Sequence, residues 1–187
     1  MCGIAGWVGA PARRLEAVTA RRVLESLGHR GPDDCGWLVV QGRRTRGGRV
    51  LPDQVNGDAV LLHRRLSILD LTESGSQPMS SRTGLEVLTF NGEIYNYVEL
   101  REELRAQGHE FRSTSDTEVL LAALNHWGLG ALPRLVGMYA FGFIDVGKGR
   151  VVLARDPFGI KPLYVHRTEG GFVFASEVKS LLEATSF

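Results

Sequence analysis

Met1-Cys2-Gly3-Ile4-Ala5-Gly6 opens the chain, and the cysteine at position 2 decides how the rest is read. Removal of Met1, which the small side chain behind it favours, would put a thiol and a free α-amine on one residue. The unperturbed amine titrates near about 7.7–8.0 and the thiol near about 8.5, so both sit close to neutral pH. An N-terminal amine can serve as base to its own residue's nucleophile. Position alone supports a second reading equally well: Cys2 starts a buried strand, since unpaired cysteine packs as a small hydrophobe. The remainder of the chain has to choose.

Outward from Cys2, Ile4 to Val8 reads as a short buried strand among glycines. Ala12 to Leu27 carries Leu15, Val18, Val23, Leu24 and Leu27 at helical spacing, with Gly28 to end the helix. Trp37 to Val40 is a strand, and Gln41 to Gly57, rich in Gly and Arg, is an exposed hairpin or loop. Strands follow at Ala59 to Leu62 and Val87 to Phe90. Asn96 to Gln107 is a helix whose Glu99, Arg101, Glu102 and Arg105 face outward, and Ser115-Asp116-Thr117-Glu118 starts another that runs to about Trp127. Four short strands close the pattern, at Met138 to Ile144, Val151 to Ala154, Leu163 to His166 and Phe172 to Ala175. Strands and helices do not alternate regularly, so the fold class is α+β.

Composition removes several classes of function. With 187 residues and 43% hydrophobic content, the chain has the material for one domain with a real core. A formal charge of +1 leaves no global field to recruit nucleic acid or an acidic membrane. Arg43, Arg44, Arg46 and Arg49 read as a solvated turn, because no aromatics interleave with them for stacking on RNA. The two cysteines, Cys2 and Cys35, are no disulfide framework, and a cytoplasmic setting is expected, with Cys35 a packed hydrophobe. No apolar run approaches the ~20 residues of a membrane span. Arg13 and Arg14 follow the first apolar stretch too soon for a signal peptide, so Met1 is expected to be the true start. The five histidines lack metal-ligand spacing, and no metal site is expected.

Six segments then matter together. They are Met1-Cys2-Gly3-Ile4, Arg30-Gly31-Pro32-Asp33, His63-Arg64-Arg65-Leu66-Ser67-Ile68, Phe90-Asn91-Gly92-Glu93-Ile94-Tyr95-Asn96, Ser115-Asp116-Thr117-Glu118, and Arg155-Asp156-Pro157-Phe158-Gly159-Ile160-Lys161-Pro162-Leu163-Tyr164. In kind, order and spacing they closely resemble the glutaminase domain of glutamine-hydrolysing asparagine synthetases, class II glutamine amidotransferases within the N-terminal nucleophile hydrolases. The resemblance runs from Cys2 to about Leu182. It implies one glutaminase domain over residues 1–187, folded as a four-layer α/β/β/α sandwich of two antiparallel sheets. It also implies hydrolysis of the glutamine side-chain amide to glutamate and ammonia.

The resemblance assigns roles. Cys2 attacks the amide carbon and forms a thioester. The Asn91 side-chain NH2 and the Gly92 backbone N–H hold the oxyanion, each worth about 2.7–4 kcal/mol by analogy with protease mutants. Alone, Asn91-Gly92 would read as a turn at a strand end. Arg65, with backbone help from Leu66, Ser67, Ile68 and Leu69, takes the α-carboxylate. Asp116, with Glu93 as helper, takes the α-ammonium, although Asp116 also suits a plain helix cap. Of the neighbouring pair, Arg64 is expected to be solvated. Arg30 and Asp33 hold the loop around the nucleophile, and Asp156 to Tyr164 builds core and interface rather than touching glutamine.

No cofactor is expected in this domain; ATP and Mg are expected only of a synthetase half, whose Ser-Gly-Gly-x-Asp-Ser pyrophosphate loop this sequence lacks. The expected partners are glutamine and a synthetase domain or subunit, with no nucleic acid and no membrane, and a homodimer is compatible. A second hypothesis is a non-catalytic or differently coupled module that supports a synthetase acting on another carboxylate. Cys2, Asn91, Glu93 and Asp116 argue against it.

Overall fold

A computed structural model describes residues 1–185 of the chain. Its elements in order are β1 (Gly3–Gly9), α1 (Ala10–Arg13), α2 (Ala17–Ser26), β2 (Asp34–Gln41), β3 (Arg44–Gly48), β4 (Ala59–Arg65), β5 (Met79–Ser80) and β6 (Glu86–Ile94). Then come α3 (Tyr97–Ala106), α4 (Asp116–Trp127), β7 (Gly137–Asp145), β8 (Arg150–Arg155), β9 (Tyr164–Thr168), β10 (Gly171–Ala175) and α5 (Val178–Thr185). One antiparallel sheet runs β3-β2-β4-β1-β10-β9 and the other β5-β6-β7-β8.

Period-two alternation sorts the strand residues into cores. Ala5 and Trp7 of β1, Val60 and Leu62 of β4, and Trp37 and Val39 of β2 face α1, α2 and α5. Their neighbours Ile4, Leu61 and Leu38 point the other way and meet Val87, Ala140 and Ile144 of the second sheet. Behind that sheet, Leu88, Phe90, Phe141 and Phe143 pack on Leu100, Leu104, Val119 and Leu120 of α3 and α4. The result is the four-layer α/β/β/α sandwich that the family resemblance implies. Both faces of β1 are covered, which is why Ile4, Ala5 and Trp7 are all buried. Two polar contacts bridge the sheets: Thr89 Oγ1 donates to the Leu62 carbonyl (3.2 Å), and His63 Nε2 meets the Phe90 carbonyl (3.0 Å). Burial drives the His63 pKa down to about 4, so the ring is neutral and Nε2–H donates.

Three expectations need correction. The helix expected over Ala12 to Leu27 is broken into α1 and α2: Leu15 turns into the core, and Glu16 takes an extended conformation to cap α2. Arg101 does not face outward. It is 8% exposed and donates to the Ser113 and Ser115 carbonyls (3.0 and 2.9 Å), pinning the segment that leads into α4. The Gly- and Arg-rich segment forms the expected hairpin through β3, but its second half folds inward. Val55 is 1% exposed there, and the Val50 carbonyl accepts from Trp37 Nε1 (2.7 Å). Arg46 stacks on the Trp37 ring of its own chain (5.4 Å). Among the described residues no helix is long and apolar enough to cross a membrane.

Candidate active site

The alternation that builds the cores also gathers the polar groups. On β4, Leu61 and His63 face the other sheet, so Arg65 does too, while Arg64 falls on the helix side beside Gly28. On β1, Ile4 faces the other sheet, and so does Cys2. The β1–β4 register pairs Gly3 with Arg64, which puts Cys2 beside Arg65 one step on. From the second sheet, Asn91 lies two residues beyond Thr89 on the same face of β6. Cys2, Arg65, Asn91 and Asp116 therefore line one cavity of about 200 Å³. That is below the ~300–1,000 Å³ of drug-sized pockets and suits a single amino acid.

Cys2 is half-buried. Its Sγ accepts from the Leu66 amide (3.4 Å) and lies 3.7 Å from the Leu66 carbonyl. Burial pushes the thiol above its ordinary range, and the Leu66 amide opposes that shift without cancelling it. Arg30 Nε holds the Cys2 carbonyl (2.9 Å), and Asp33 accepts from the Ser67 amide (2.7 Å). Both residues thus brace the nucleophile's surroundings.

Asn91 is 1% exposed, and its Nδ2 has no hydrogen-bond partner among the described residues. A buried donor left unmade costs about 1–3 kcal/mol, and Asn91 is one of the residues that line the cavity. Asn91-Gly92 is not a turn. It sits inside β6, with Asn91 opposite Ala140 and Gly92 opposite Tyr139. Glycine at 92 is needed for the sheet itself: a Cβ there would stand 2.3 Å from the Met138 carbonyl and 2.8 Å from Tyr139 Cα.

Arg65 is 6% exposed and already engaged. It donates to the carbonyls of Thr72 (3.1 Å), Leu69 (3.3 Å) and Asp70, which leaves two of its five N–H groups. Gly75 makes room for the guanidinium, since a Cβ there would lie 2.3 Å from its Nη2. Asp70 takes a left-handed conformation (φ 53°) with its carboxylate on the Thr72 and Thr114 amides, so the loop over Arg65 is fixed from several sides. Arg64 is not simply solvated: it is half-buried, and its Nε lacks a partner among the described residues.

Asp116 is not the helix cap. Ser115 caps α4 by accepting from the Thr117 amide (3.0 Å), and Asp116 is the first helical residue, accepting from the Ile94 amide (3.0 Å). Burial, helped by the nearby Glu93 carboxylate, raises its pKa to about 6 despite the amide bonds that oppose the shift. Glu93, Leu66, Ile68 and Leu69 also line the cavity, whereas Ser67 is not among its lining residues.

Gln77 and Lys161 are among the lining residues that carry no reading as site residues in the sequence. Gln77 is 8% exposed; its Oε1 accepts from the Phe90 amide (2.7 Å) and its Nε2 donates to Thr117 Oγ1 (3.3 Å), so it ties β6 to α4. Lys161 belongs to the segment expected to build core. That segment does knot itself on Asp156, which accepts from the Tyr139, Ile160 and Lys161 amides, but Lys161, 6% exposed, is also one of the residues that line the cavity. Its motif was visible in the sequence; its direction depends on that knot. Among the described residues no three His, Cys, Asp or Glu side chains gather as a metal set.

Known proteins of similar sequence and fold point to one family. The chain is 42% identical over 195 residues to a putative glutamine-hydrolysing asparagine synthetase of Mycobacterium tuberculosis, covering 98% of this chain and 28% of that protein. It is 41% identical over 190 residues to glutamine-hydrolysing asparagine synthetase 1 of Bacillus subtilis, covering 98% of this chain and 27% of that one. The chain thus spans little more than a quarter of the length of these relatives. Among solved structures, the glutamine phosphoribosylpyrophosphate amidotransferase of B. subtilis, complexed with ADP and GMP, superposes with a TM-score of 0.79 at 25% identity. That match covers 98% of this chain and 43% of the other. The family model described as a glutamine amidotransferase domain matches residues 1–187, and the chain belongs to that family.

Proposed function

We propose that this chain is a single glutaminase domain that hydrolyses the side-chain amide of free glutamine through a thioester on Cys2, once Met1 is removed. The observation that carries the reading is that Asn91, whose buried Nδ2 has no partner among the described residues, lines the same cavity as Cys2. A buried thiol whose pKa is raised needs a base. Removing Met1 supplies the α-amine of Cys2 as that base and also clears Met1 from the cavity wall.

In the first half-reaction the amine, directly or through a water, takes the thiol proton. Sγ then bonds to the amide carbon, and the carbonyl oxygen becomes an oxyanion held by Asn91 Nδ2 and the Gly92 amide. The protonated amine gives its proton to the departing nitrogen, the C–N bond breaks, and ammonia leaves. In the second, water adds to the thioester, the C–S bond breaks, and glutamate and the thiol are restored. Arg65 pairs the α-carboxylate and Asp116, beside Glu93, the α-ammonium. Charged ends need such partners, because a desolvated charge left alone is costly. The names of the long relatives support a synthetase domain or subunit as the user of the ammonia; ATP and Mg are proposed for that half alone. This domain needs no cofactor for hydrolysis.

The test is ammonia release from glutamine by protein whose intact mass shows loss of Met1. The processed protein is expected to turn over and the Met1-bearing protein to be inactive. Equal inactivity of both would end the reading.

A further inference from the structure

The segment joining β10 to α5 grips the start of β1. The Ser176 amide donates to the Ile4 carbonyl (2.8 Å), and the Ile4 amide donates to Ser176 Oγ (3.0 Å). Glu177, one residue on, reaches further. Its Oε1 accepts from Arg30 Nη1 (3.1 Å) and lies 2.8 Å from His29 Nε2, while Oε2 pairs with Lys179 Nζ (3.3 Å). His29 and Lys179 are more than half exposed, so their pairs are solvent-screened. The Arg30 side chain is 8% exposed, and Glu177 is its one acidic partner among the described residues. Arg30 Nε in turn donates to the Cys2 carbonyl (2.9 Å). An unbroken line of contacts therefore runs from the foot of α5 to the nucleophile's own backbone.

We propose that Glu177 is a positioning residue for Cys2, acting through Arg30. The inference rests on the reading of Cys2 as nucleophile. A guanidinium fixed at Nη1 by a carboxylate aims its Nε along one direction, and that direction ends on the Cys2 carbonyl. Released from Glu177, Arg30 turns toward water, and Cys2, just outside β1, keeps the weak Sγ contacts to Leu66. Glutamine itself meets none of this: its proposed contacts are Arg65, Asn91, Gly92, Glu93 and Asp116. Loss of Glu177 should therefore slow turnover and leave glutamine affinity alone.

The experiment uses protein with Met1 removed and compares Glu177→Ala, Glu177→Gln, Arg30→Ala and the double variant Glu177→Ala/Arg30→Ala. A misplaced reacting group costs up to about 100-fold in rate, so Glu177→Ala is expected to lower kcat about 10–100-fold with KM within about threefold. Glu177→Gln keeps an oxygen for Arg30 and should recover most of the loss. The double variant should be no slower than Arg30→Ala, since both changes break one line of contacts. Hydrogen exchange at residues 3–5, read by mass spectrometry, should speed up in Glu177→Ala and no further in the double variant. Should Glu177→Ala not fold, Glu177→Asp, one methylene too short for Arg30, should show the same loss. Wild-type kcat in Glu177→Ala, losses that multiply in the double variant, or a rise in KM at constant kcat would each overturn the proposal. A wild type without glutaminase activity would instead remove the functional reading, and the exchange series alone would then decide the Glu177–Arg30 link.

Discussion

Cys2 and Arg65 come from the six-stranded sheet and reach the cavity with partners already in place: Sγ on the Leu66 amide, the guanidinium on the carbonyls of Leu69, Asp70 and Thr72. Asn91 and Asp116 come from β6 and from the helix behind it, and they stand there at a cost. Asn91 Nδ2 has no partner among the described residues, and burial raises the Asp116 pKa to about 6. One side of the pocket is prebuilt geometry and the other is stored polarity that a ligand would relieve. Substitutions of Arg65 and of the polar groups opposite should therefore fail differently: the first also loosens the loop that the guanidinium holds, the second loses function while the fold gains.

The largest effect is expected at Cys2. Cys2→Ala should abolish ammonia release and leave glutamine binding by calorimetry within a few-fold of the parent, because little packing volume is lost. Full activity in that variant would end the nucleophile assignment. Next comes the arginine pair. Arg65→Ala should weaken glutamine binding by about 2–5 kcal/mol, since it leaves the substrate carboxylate unpaired and also frees the 69–72 loop. Arg64→Ala, on the opposite face of β4, should leave binding unchanged. Titrations on the Cys2→Ala background separate the two, and the reverse result would move the carboxylate contact to Arg64.

Asp116→Asn gives the smaller but sharper contrast. A carboxyl whose folded pKa is raised contributes stability that is full below its unfolded value of 3.8 and is lost as pH rises through about 6. The Asn variant can still accept from the Ile94 amide and carries no charge. Without ligand it should be more stable than the parent above pH 6, by on the order of 1–2 kcal/mol at pH 7.5 in chemical denaturation. It should also bind glutamine poorly. In the parent, glutamine affinity should fall as pH drops below about 6, by about tenfold per pH unit, as Asp116 takes up a proton. Flat affinity from pH 7 to 5 would show that Asp116 does not meet the ammonium.

How much of this was legible follows the same division. Cys2, Asn91 and Asp116 stand in short motifs, and the choice of Arg65 over Arg64 agrees with the alternation of Leu61, Leu62 and His63 along β4. Asn91-Gly92, by contrast, reads locally as a turn, and only its pairing with Ala140 and Tyr139 across the sheet makes it strand interior. Gln77, Lys161 and Glu177 carry no local signal of their direction. Each owes its place to contacts far along the chain: Gln77 to Phe90 and Thr117, Lys161 to the Asp156 knot, Glu177 to Arg30. Arg101 was assigned outward because a helix face looks charged in sequence, yet two carbonyls more than ten residues away hold it inside.

In the proposed reaction Asn91 Nδ2 meets a charge that develops only as the amide is attacked. Steady-state glutaminase kinetics on Met1-free protein test this most directly. Asn91→Ala should lower kcat by about 10²–10³ with KM within about threefold, because the lost donor acts on the oxyanion and not on the ground-state amide. A wild-type kcat with a raised KM would make Asn91 an ordinary binding contact and contradict the account.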